Sequence, residues 1–178
     1  SMNMLNLMKS PDLGKSIKTA MKALTFVTTN SNIDTVLTVQ KGNNENHTTG
    51  LGLMGLHSYF ATNQIEYGSP ESLEITSVIF SLMNYWSLVA SVEEAIKRNE
   101  TFVDFDKSKY ATGEYFEKYL NNDYAPKSEK VKKLFANHFI PSKDDWAKLA
   151  QDVQTYGLFH SYRLAVAPNG SISYINDC

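Results

Sequence analysis

Apolar residues recur at helical spacing along most of the chain, and this pattern predicts a mainly helical protein. The first helix is predicted to start at Ser10, as N-cap, and Pro11, as first helical residue, and to run to about Thr29. The longest runs from Leu73 to Arg98, after the start signal Ser69-Pro70-Glu71. Because its middle is apolar on more than one face, we expect this helix to be buried in something larger.

Shorter helices are predicted in the second half of the chain. One lies at Gly113 to Leu120, and another starts at Ser128. A third starts at Ser142, where Asp145 completes a variant of the capping box, and it ends at Gly157.

Strand patterns are few and short, so the predicted fold class is α/β, mostly helical. Ile33 to Val39 is rich in β-branched residues and predicts a strand or extended segment, and Lys41 to Asn46 predicts a polar loop. Three glycines lie among large apolar residues in Thr49 to Phe60, where a short buried strand is predicted to pass into a helix around Leu56 to Asn63. Leu158 to Ala167 predicts a further strand.

A turn with candidate chemistry follows that last strand. Pro168-Asn169-Gly170 is a strong turn signal, and Ser171 and Ser173 follow it at the start of a predicted helix. Unpaired N–H groups at a helix N-terminus and serine hydroxyls are donors that suit phosphate. The alternative is that Asn169 and Ser171 only cap the turn and a short helix, which is the commoner use of these residues.

Composition narrows the classes of function. The chain has 178 residues, 42% of them hydrophobic and 20% charged, which is ordinary for one soluble globular domain. The net charge of −2 gives no electrostatic case for nucleic acid or an anionic membrane as partner. The single cysteine, Cys178, excludes a disulfide framework and indicates a cytoplasmic protein. Both ends of the sequence predict a piece excised from a longer protein.

Candidate catalytic residues are few. His57 could act as a general base or metal ligand, but no Asp, Glu or Cys accompanies it at metal spacing, so a packed structural histidine is favoured. The sequence has no Cys/His pair, no metal cluster and no Ser/His/Asp set in a supporting context. We therefore predict no catalytic residue, no metal site and no cofactor in this chain.

Three stretches resemble the large, catalytic (alpha) subunit of class Ib ribonucleotide reductase. Ser10 to Lys15 (SPDLGK) is similar to the SPDFGK of that family, and Thr49 to Phe60 (TGLGLMGLHSYF) is similar to its IGLGQMNLHGYL. Ala165 to Asn176 (AVAPNGSISYIN) is similar to its AVPPTGSISYIN, which is a specific motif. The likeness covers residues 1–178 as one segment of the catalytic barrel domain, in the C-terminal half of the subunit.

The resemblance implies a fold, an activity and partners. Such enzymes reduce ribonucleoside diphosphates to deoxyribonucleoside diphosphates for DNA synthesis, by thiyl-radical chemistry inside a ten-stranded α/β barrel. They rely on a dimetal-tyrosyl radical in a small (beta) subunit, on a glutaredoxin-like or thioredoxin dithiol reductant, and on homodimerisation. Their substrate diphosphate lies at a strand-to-helix turn. The residues here that match this turn are Pro168, Asn169, Gly170, Ser171, Ile172 and Ser173.

The chain also departs from the family pattern. Asn169 stands where the family usually has Thr, so an amide, which can still donate, replaces one hydroxyl. His160 stands where Asn is common, and we assign it no role. The N-x-C-x-E motif, the redox cysteines and the paired radical-path tyrosines do not occur in this sequence, and Cys178 falls outside those motifs. We therefore expect the chain to be inactive alone.

Two other interpretations remain open at this point. The chain could be an independent helical binding module that carries a Pro-Asn-Gly turn, or a fragment of a class II or glycyl-radical-type reductase. An N-x-C-x-E motif encoded upstream of Ser1 would favour the class Ib interpretation, whereas a natural start at Met2 would favour the binding module.

Overall fold

Three parallel extended segments lie side by side in the computed structural model, which describes residues 1–31 and 34–176. Strand β1 (Met2–Asn3) pairs in parallel with β2 (Leu53–Met54), with Met2 opposite Leu53. A parallel bridge joins Leu51 to Leu164 on the other side of the β2 segment. The N–H of Leu51 donates to Arg163 O (2.9 Å), and the N–H of Ala165 donates to Leu51 O (3.1 Å). The β2 segment is therefore the middle of the three.

Helices fill most of the rest of the described chain and connect the parallel segments. They are α1 (Met4–Leu7), α2 (Leu13–Asn30), α3 (Leu37–Asn46), α4 (Leu56–Thr62), α5 (Pro70–Arg98), α6 (Lys109–Thr112), α7 (Glu117–Asn121), α8 (Glu129–Phe135), α9 (Lys143–Tyr156) and α10 (Ser171–Ile175). Short 3₁₀ turns occur at Phe105–Lys107 and Glu114–Phe116. Parallel segments joined by helical crossovers form an α/β arrangement that is compatible with part of a barrel. The complete ten-stranded barrel stays a prediction.

Helix α5 is the centre of the core. Ser69 accepts from the N–H of Ser72 (3.2 Å) and Pro70 begins the helix, so the predicted start is confirmed. One face packs with α2 and α8 in a cluster that includes Ile17, Met21 and Ile79. Another packs with α9 in a second cluster. The large fully buried side chains on α5 are Ile75, Ile79, Leu82, Met83 and Leu88.

Helix α5 is buried mainly by other helices of this chain, and the expectation that a larger protein covers the rest of it stays a prediction. The helix is long and apolar enough to cross a membrane by length and composition. However, 67% of its most apolar 18-residue window is buried inside the protein, and it lies between other helices on several sides. We therefore interpret α5 as the core helix of a globular fold.

Two glycines mark close approaches between elements. A Cβ on Gly14 would clash with the Trp86 ring, so glycine lets α2 pack directly against α5. A Cβ on Gly52 would lie 2.7 Å from the carbonyl oxygen of Ala165, so glycine also lets the second and third parallel segments approach. The sequence interpretation of the glycines before α4 as sites of close backbone approach is confirmed at Gly52.

Several predicted boundaries are confirmed in the second half of the chain. Ser128 caps α8 by accepting from Val131 N–H (3.4 Å). Ser142 and Asp145 form the reciprocal capping box of α9, and Gly157 follows its last residue. The helix predicted at Gly113 to Leu120 is divided into a 3₁₀ turn and α7.

The start of α2 differs from the prediction by two residues. Its N-cap is Asp12, whose carboxylate accepts from Lys15 N–H at 2.8 Å, and helical residues begin at Leu13. Ser10 instead hydrogen-bonds the carbonyl of Asp12 (3.0 Å) and the hydroxyl of Ser16 (2.8 Å). A carboxylate at the N-cap accepts a hydrogen bond from a free N–H group and also interacts favourably with the positive end of the helix dipole. This double effect explains why Asp12 takes the N-cap position.

Two strand predictions and one loop prediction need correction. The predicted strand at 33–39 is wrong over 37–39, and the predicted loop at 41–46 is wrong, because residues 37–46 form α3. Asn43 fixes this helix by donating from Nδ2 to Thr28 O (2.8 Å) at the end of α2. Ile33 lies outside the described residues. The strand predicted at 158–167 is confined to the bridge at Leu164, and the flanking residues are irregular.

Candidate functional site

The predicted phosphate turn lies at the carboxyl end of the third parallel segment. That segment pairs at Leu164, Pro168 and Asn169 follow it, and α10 begins at Ser171 with Gly170 as its N-cap. The predicted helix start after Gly170 is therefore confirmed, whereas the preceding strand is a single bridge at Leu164 and residues 165–169 are irregular. In α/β barrels, the loops at the carboxyl ends of parallel strands carry the binding sites.

Hydrogen bonds tie this turn to the first parallel segment. The Ser1 hydroxyl donates to Asn169 Oδ1 (3.1 Å), and Asn3 Nδ2 donates to Asn176 O (2.7 Å). Within the turn, Ser173 donates to Gly170 O from both its N–H (2.9 Å) and its hydroxyl (2.7 Å). The turn is thus held in place at both ends.

The donors at the start of α10 remain open. Within residues 1–31 and 34–176, neither the Ser171 hydroxyl nor the N–H groups of Ser171 and Ile172 make a hydrogen bond, and Gly170 makes no side-chain cap. Asn169 does not cap the helix in the described contacts either, because its oxygen accepts from Ser1. A Cβ on Gly170 would meet open space, so there is room for a bound group beside the turn.

No charged side chain lies between residues 164 and 175 of the sequence. An anion bound at the turn would therefore be held by neutral donors and by the partial positive charge of free N–H groups. Because α10 has only five residues, its dipole adds little to these direct hydrogen bonds.

The two histidines singled out in the sequence have opposite environments. His57 is exposed and lies beside the Tyr67 ring (5.8 Å between centroids), so the expectation of a packed structural histidine is wrong there. His160 is fully buried, with Nε2 2.9 Å from the Thr25 hydroxyl and Nδ1 3.0 Å from the Ser91 hydroxyl. Burial, reinforced by the positive charge of Arg163, lowers the pKa of His160 to about 4.

The low pKa of His160 predicts an acid-sensitive fold. As pH falls from about 6.5 towards 4, histidine becomes protonated in the unfolded state, whereas His160 in the folded state stays neutral. The unfolding free energy therefore decreases over this range, by about 3 kcal/mol in all. In the His160→Asn variant we expect that part of the pH dependence to disappear, at a cost of roughly 1 kcal/mol at pH 7 for the lost bond to Thr25. Urea unfolding between pH 4 and 7 measures this. The exposed-site variant His57→Asn should keep the parent slope, and an unchanged slope in His160→Asn would contradict the assignment.

The sequence did not predict a second polar cluster, which surrounds the side chain of Arg163. The Arg163 side chain is 4% exposed and contacts Ser87 Oγ, Asn84 Oδ1 and the hydroxyl oxygens of Tyr110 and Tyr115. The sequence does show an arginine inside the apolar run that leads to the turn, and this unusual position could have marked Arg163 as notable. The sequence does not show which side chains contact Arg163, because they lie 48 to 79 residues away.

Comparison with known proteins identifies the family. The family model described as "Ribonucleotide reductase, barrel domain" matches residues 1–178. The chain is 46% identical over 175 residues to the ribonucleoside-diphosphate reductase NrdEB subunit alpha of Bacillus subtilis (strain 168), and that match covers 98% of this chain and 16% of the relative. It is 41% identical over 184 residues to the ribonucleoside-diphosphate reductase subunit alpha of Mycoplasma pneumoniae, which covers all of this chain and 25% of the relative.

These matches show that the chain belongs to the ribonucleotide reductase barrel domain family. A ribonucleoside-diphosphate reductase large subunit of equine herpesvirus 4 is 29% identical over 93% of the chain. The chain spans about a quarter or less of the length of these curated relatives. The interpretation as an independent binding module unrelated to reductases is therefore wrong.

Proposed function

We propose that this chain forms part of the catalytic barrel of a ribonucleoside-diphosphate reductase alpha subunit, and that residues 168–173 bind the diphosphate of the substrate. The observation that carries the proposal is the set of open donors at the start of α10, beside open space at Gly170. The family supports it, because the relatives are named ribonucleoside-diphosphate reductases. A substrate of this kind carries the anion that such donors suit.

Each part of the turn has a separate role in this proposal. The N–H groups of Ser171 and Ile172 and the Ser171 hydroxyl donate to phosphate oxygens. The Ser173 hydroxyl is bonded to Gly170 O and fixes the shape of the turn. Pro168 limits the backbone freedom of the approach to the turn. Asn169 anchors the turn to Ser1 through its Oδ1, so its amide N–H₂ remains available to donate to the phosphate.

The reaction that we propose for the whole enzyme is the reduction of ribonucleoside diphosphates to deoxyribonucleoside diphosphates, for DNA synthesis in the cytoplasm. The radical would come from a beta subunit with a dimetal-tyrosyl centre, the electrons from a dithiol protein of the glutaredoxin or thioredoxin kind, and the working enzyme would be a homodimer of alpha subunits. Within residues 1–31 and 34–176, no three His, Cys, Asp or Glu side chains are grouped to hold a metal ion. The N-x-C-x-E motif and the redox cysteines of the family do not occur in this sequence, so we assign no step of the radical chemistry to this chain, which we expect to be inactive alone.

Removing the Ser171 hydroxyl tests the proposed diphosphate site. In the full-length alpha subunit, Ser171→Ala should weaken ribonucleoside diphosphate binding about tenfold or more, because a hydrogen bond to a charged group contributes roughly 1.5–3 kcal/mol. Equilibrium binding of the diphosphate, measured beside the melting temperature, gives the result.

A cap variant far from the turn is the control. Ser142→Ala removes the α9 cap and should lower stability by about 1 kcal/mol while leaving diphosphate affinity unchanged. If Ser171→Ala binds the diphosphate as tightly as the parent, or loses affinity only in proportion to unfolding, then the Ser171 hydroxyl does not hold the diphosphate.

The remaining alternative is a reductase of class II or of the glycyl-radical type. The names of the relatives favour the interpretation with a beta-subunit partner, since these proteins are called alpha subunits. Activity that depends on added beta subunit separates the two, because neither alternative class would need it.

A further inference from the structure

Arg163 is a buried cation that lacks a carboxylate partner in the described part of the chain. Its side chain is 4% exposed, and its hydrogen bonds within the described residues go to Ser, Asn and Tyr side chains and to no Asp or Glu. Burying a charge without an opposite charge is costly. The environment of Arg163 therefore needs an explanation beyond packing.

The groups around the guanidinium are all neutral. Nε donates to Ser87 Oγ (3.3 Å), Nη1 to the Tyr110 hydroxyl (3.2 Å), and Nη2 to Asn84 Oδ1 (3.2 Å) and the Tyr115 hydroxyl (3.4 Å). These four bonds leave one of the five N–H donors without a described acceptor. The Tyr110 and Tyr115 rings lie 5.1 and 5.9 Å from the guanidinium carbon and compensate only part of the charge.

A cavity of about 320 Å³ opens directly onto this cluster. Its walls include Asn84, Tyr110, Tyr115 and Arg163, and a second cation, Lys118, stands at its edge with its ammonium over the Tyr115 and Tyr119 rings (5.2 and 4.8 Å). The residues that line the cavity include two cations and several hydroxyls, and no carboxylate is among them. None of the residues 168–173 lines it, so the cavity is separate from the proposed diphosphate turn.

The hydroxyls add donors that face the same space. The Tyr110 hydroxyl accepts from Arg163, so its own proton is free for another acceptor within the described contacts. Burial raises the pKa of Tyr115 to about 12, so this phenol keeps its proton at neutral pH, and it donates to Asn84 Oδ1. The site thus combines a hydrogen-bonded guanidinium, a free phenol proton and an exposed ammonium.

We propose that this cavity is a second, separate anion site, which binds an oxyanion group (phosphate or carboxylate) against Arg163. The fifth guanidinium N–H and the Tyr110 hydroxyl donate to its oxygens, and Lys118 closes over it from the solvent side. An oxyanion would supply the negative charge that is missing around the buried guanidinium. Its oxygens would also accept from the donors that have no described partner. The cavity volume accommodates the group together with a small organic remainder.

Titration of the full-length alpha subunit with inorganic phosphate, and separately with acetate, tests the proposal. The readout is the ¹H–¹⁵N signal of the Arg163 Nε–H and of the Tyr110 and Lys118 amides, at pH 7 and at ionic strength held constant with chloride. We expect saturable shifts with at least one of the two oxyanions. Saturation with phosphate alone, or with acetate alone, identifies which of the two groups the site prefers, and absence of saturation with both overturns the proposal.

Three variants test whether the response to the oxyanion comes from this cavity. Tyr110→Phe removes a neutral donor and keeps the ring, and it should weaken binding roughly threefold to tenfold. Lys118→Gln should weaken it about twofold, because the ammonium is exposed and screened. Lys133→Gln, which removes an exposed cation that does not line the cavity, is the matched control and should bind like the parent.

Arg163→Gln should abolish saturation, and its melting temperature shows whether it folds. If it does not fold, Tyr110→Phe and Lys118→Gln still decide the question. The proposal fails if these two variants respond like Lys133→Gln. The diphosphate turn is tested apart from it by Ser171→Ala, which should leave the Arg163 response intact.

Discussion

Ser171→Asp in the full-length alpha subunit should reduce ribonucleoside diphosphate affinity by about a hundredfold or more. The substitution removes one donor to a charged group, worth roughly 1.5–3 kcal/mol, and places a carboxylate where the phosphate oxygens would lie. The effect is large because residues 164–175 include no cation that could offset the added charge. Equilibrium binding of the diphosphate at two salt concentrations measures both the loss and its electrostatic part.

The matched control for this variant is Ser171→Asn, which has the size of Asp without its charge. We expect Ser171→Asn to bind more tightly than Ser171→Asp, and the gap between them to narrow as salt increases. Equal affinities for the two variants would show that bulk rather than charge matters at the turn. Parent-like affinity for Ser171→Asp would exclude residues 168–173 as the diphosphate site.

Trp146→Ala should cause the largest loss of stability, roughly 3–5 kcal/mol. The Trp146 side chain is 2% exposed, stacks on the Tyr119 ring (3.9 Å between centroids, 9° between planes) and meets the Tyr85 ring edge-on at 5.0 Å. It therefore holds α9, α7 and α5 together. Chemical denaturation of the 178-residue chain measures the change.

Tyr156→Ala is the comparison on the same helix. Tyr156 is 52% exposed, so its truncation should cost well under about 1 kcal/mol. A loss in Trp146→Ala that is no greater than in Tyr156→Ala would mean that the second core cluster tolerates the cavity, and that the stacked pair with Tyr119 does not organise it.

Local patterns in the sequence were sufficient to predict the helices with strong start signals. Ser69, Ser128 and Ser142 each cap the helix that was predicted to follow. The start of α2 was missed because Ser10 and Asp12 are both good caps, and only the three-dimensional contacts show which one reaches the free N–H.

The patterns failed where tertiary contacts override propensity. Residues 37–46 contain β-branched and polar residues with weak helical preference, yet they form α3 against the end of α2. The strands could be predicted only in part, since each pairs over two residues or a single bridge and depends on partners far along the chain. The open donors after Gly170 could be located from the sequence because the turn residues are contiguous. The partners of Arg163 could not, because they lie 48 to 79 positions before it in the sequence.

The links between the phosphate turn and the first parallel segment have a consequence for the order of folding. They join Ser1 to Asn169 and Asn3 to Asn176, across 168 and 173 positions of sequence. Bringing two such distant segments together costs conformational entropy of the chain between them. Prior docking of the helices reduces this cost, because it already brings the two segments close. The turn should therefore become ordered last and open first. In the growing polypeptide, the donors at the start of α10 acquire their anchors only after the whole core around α5 has formed.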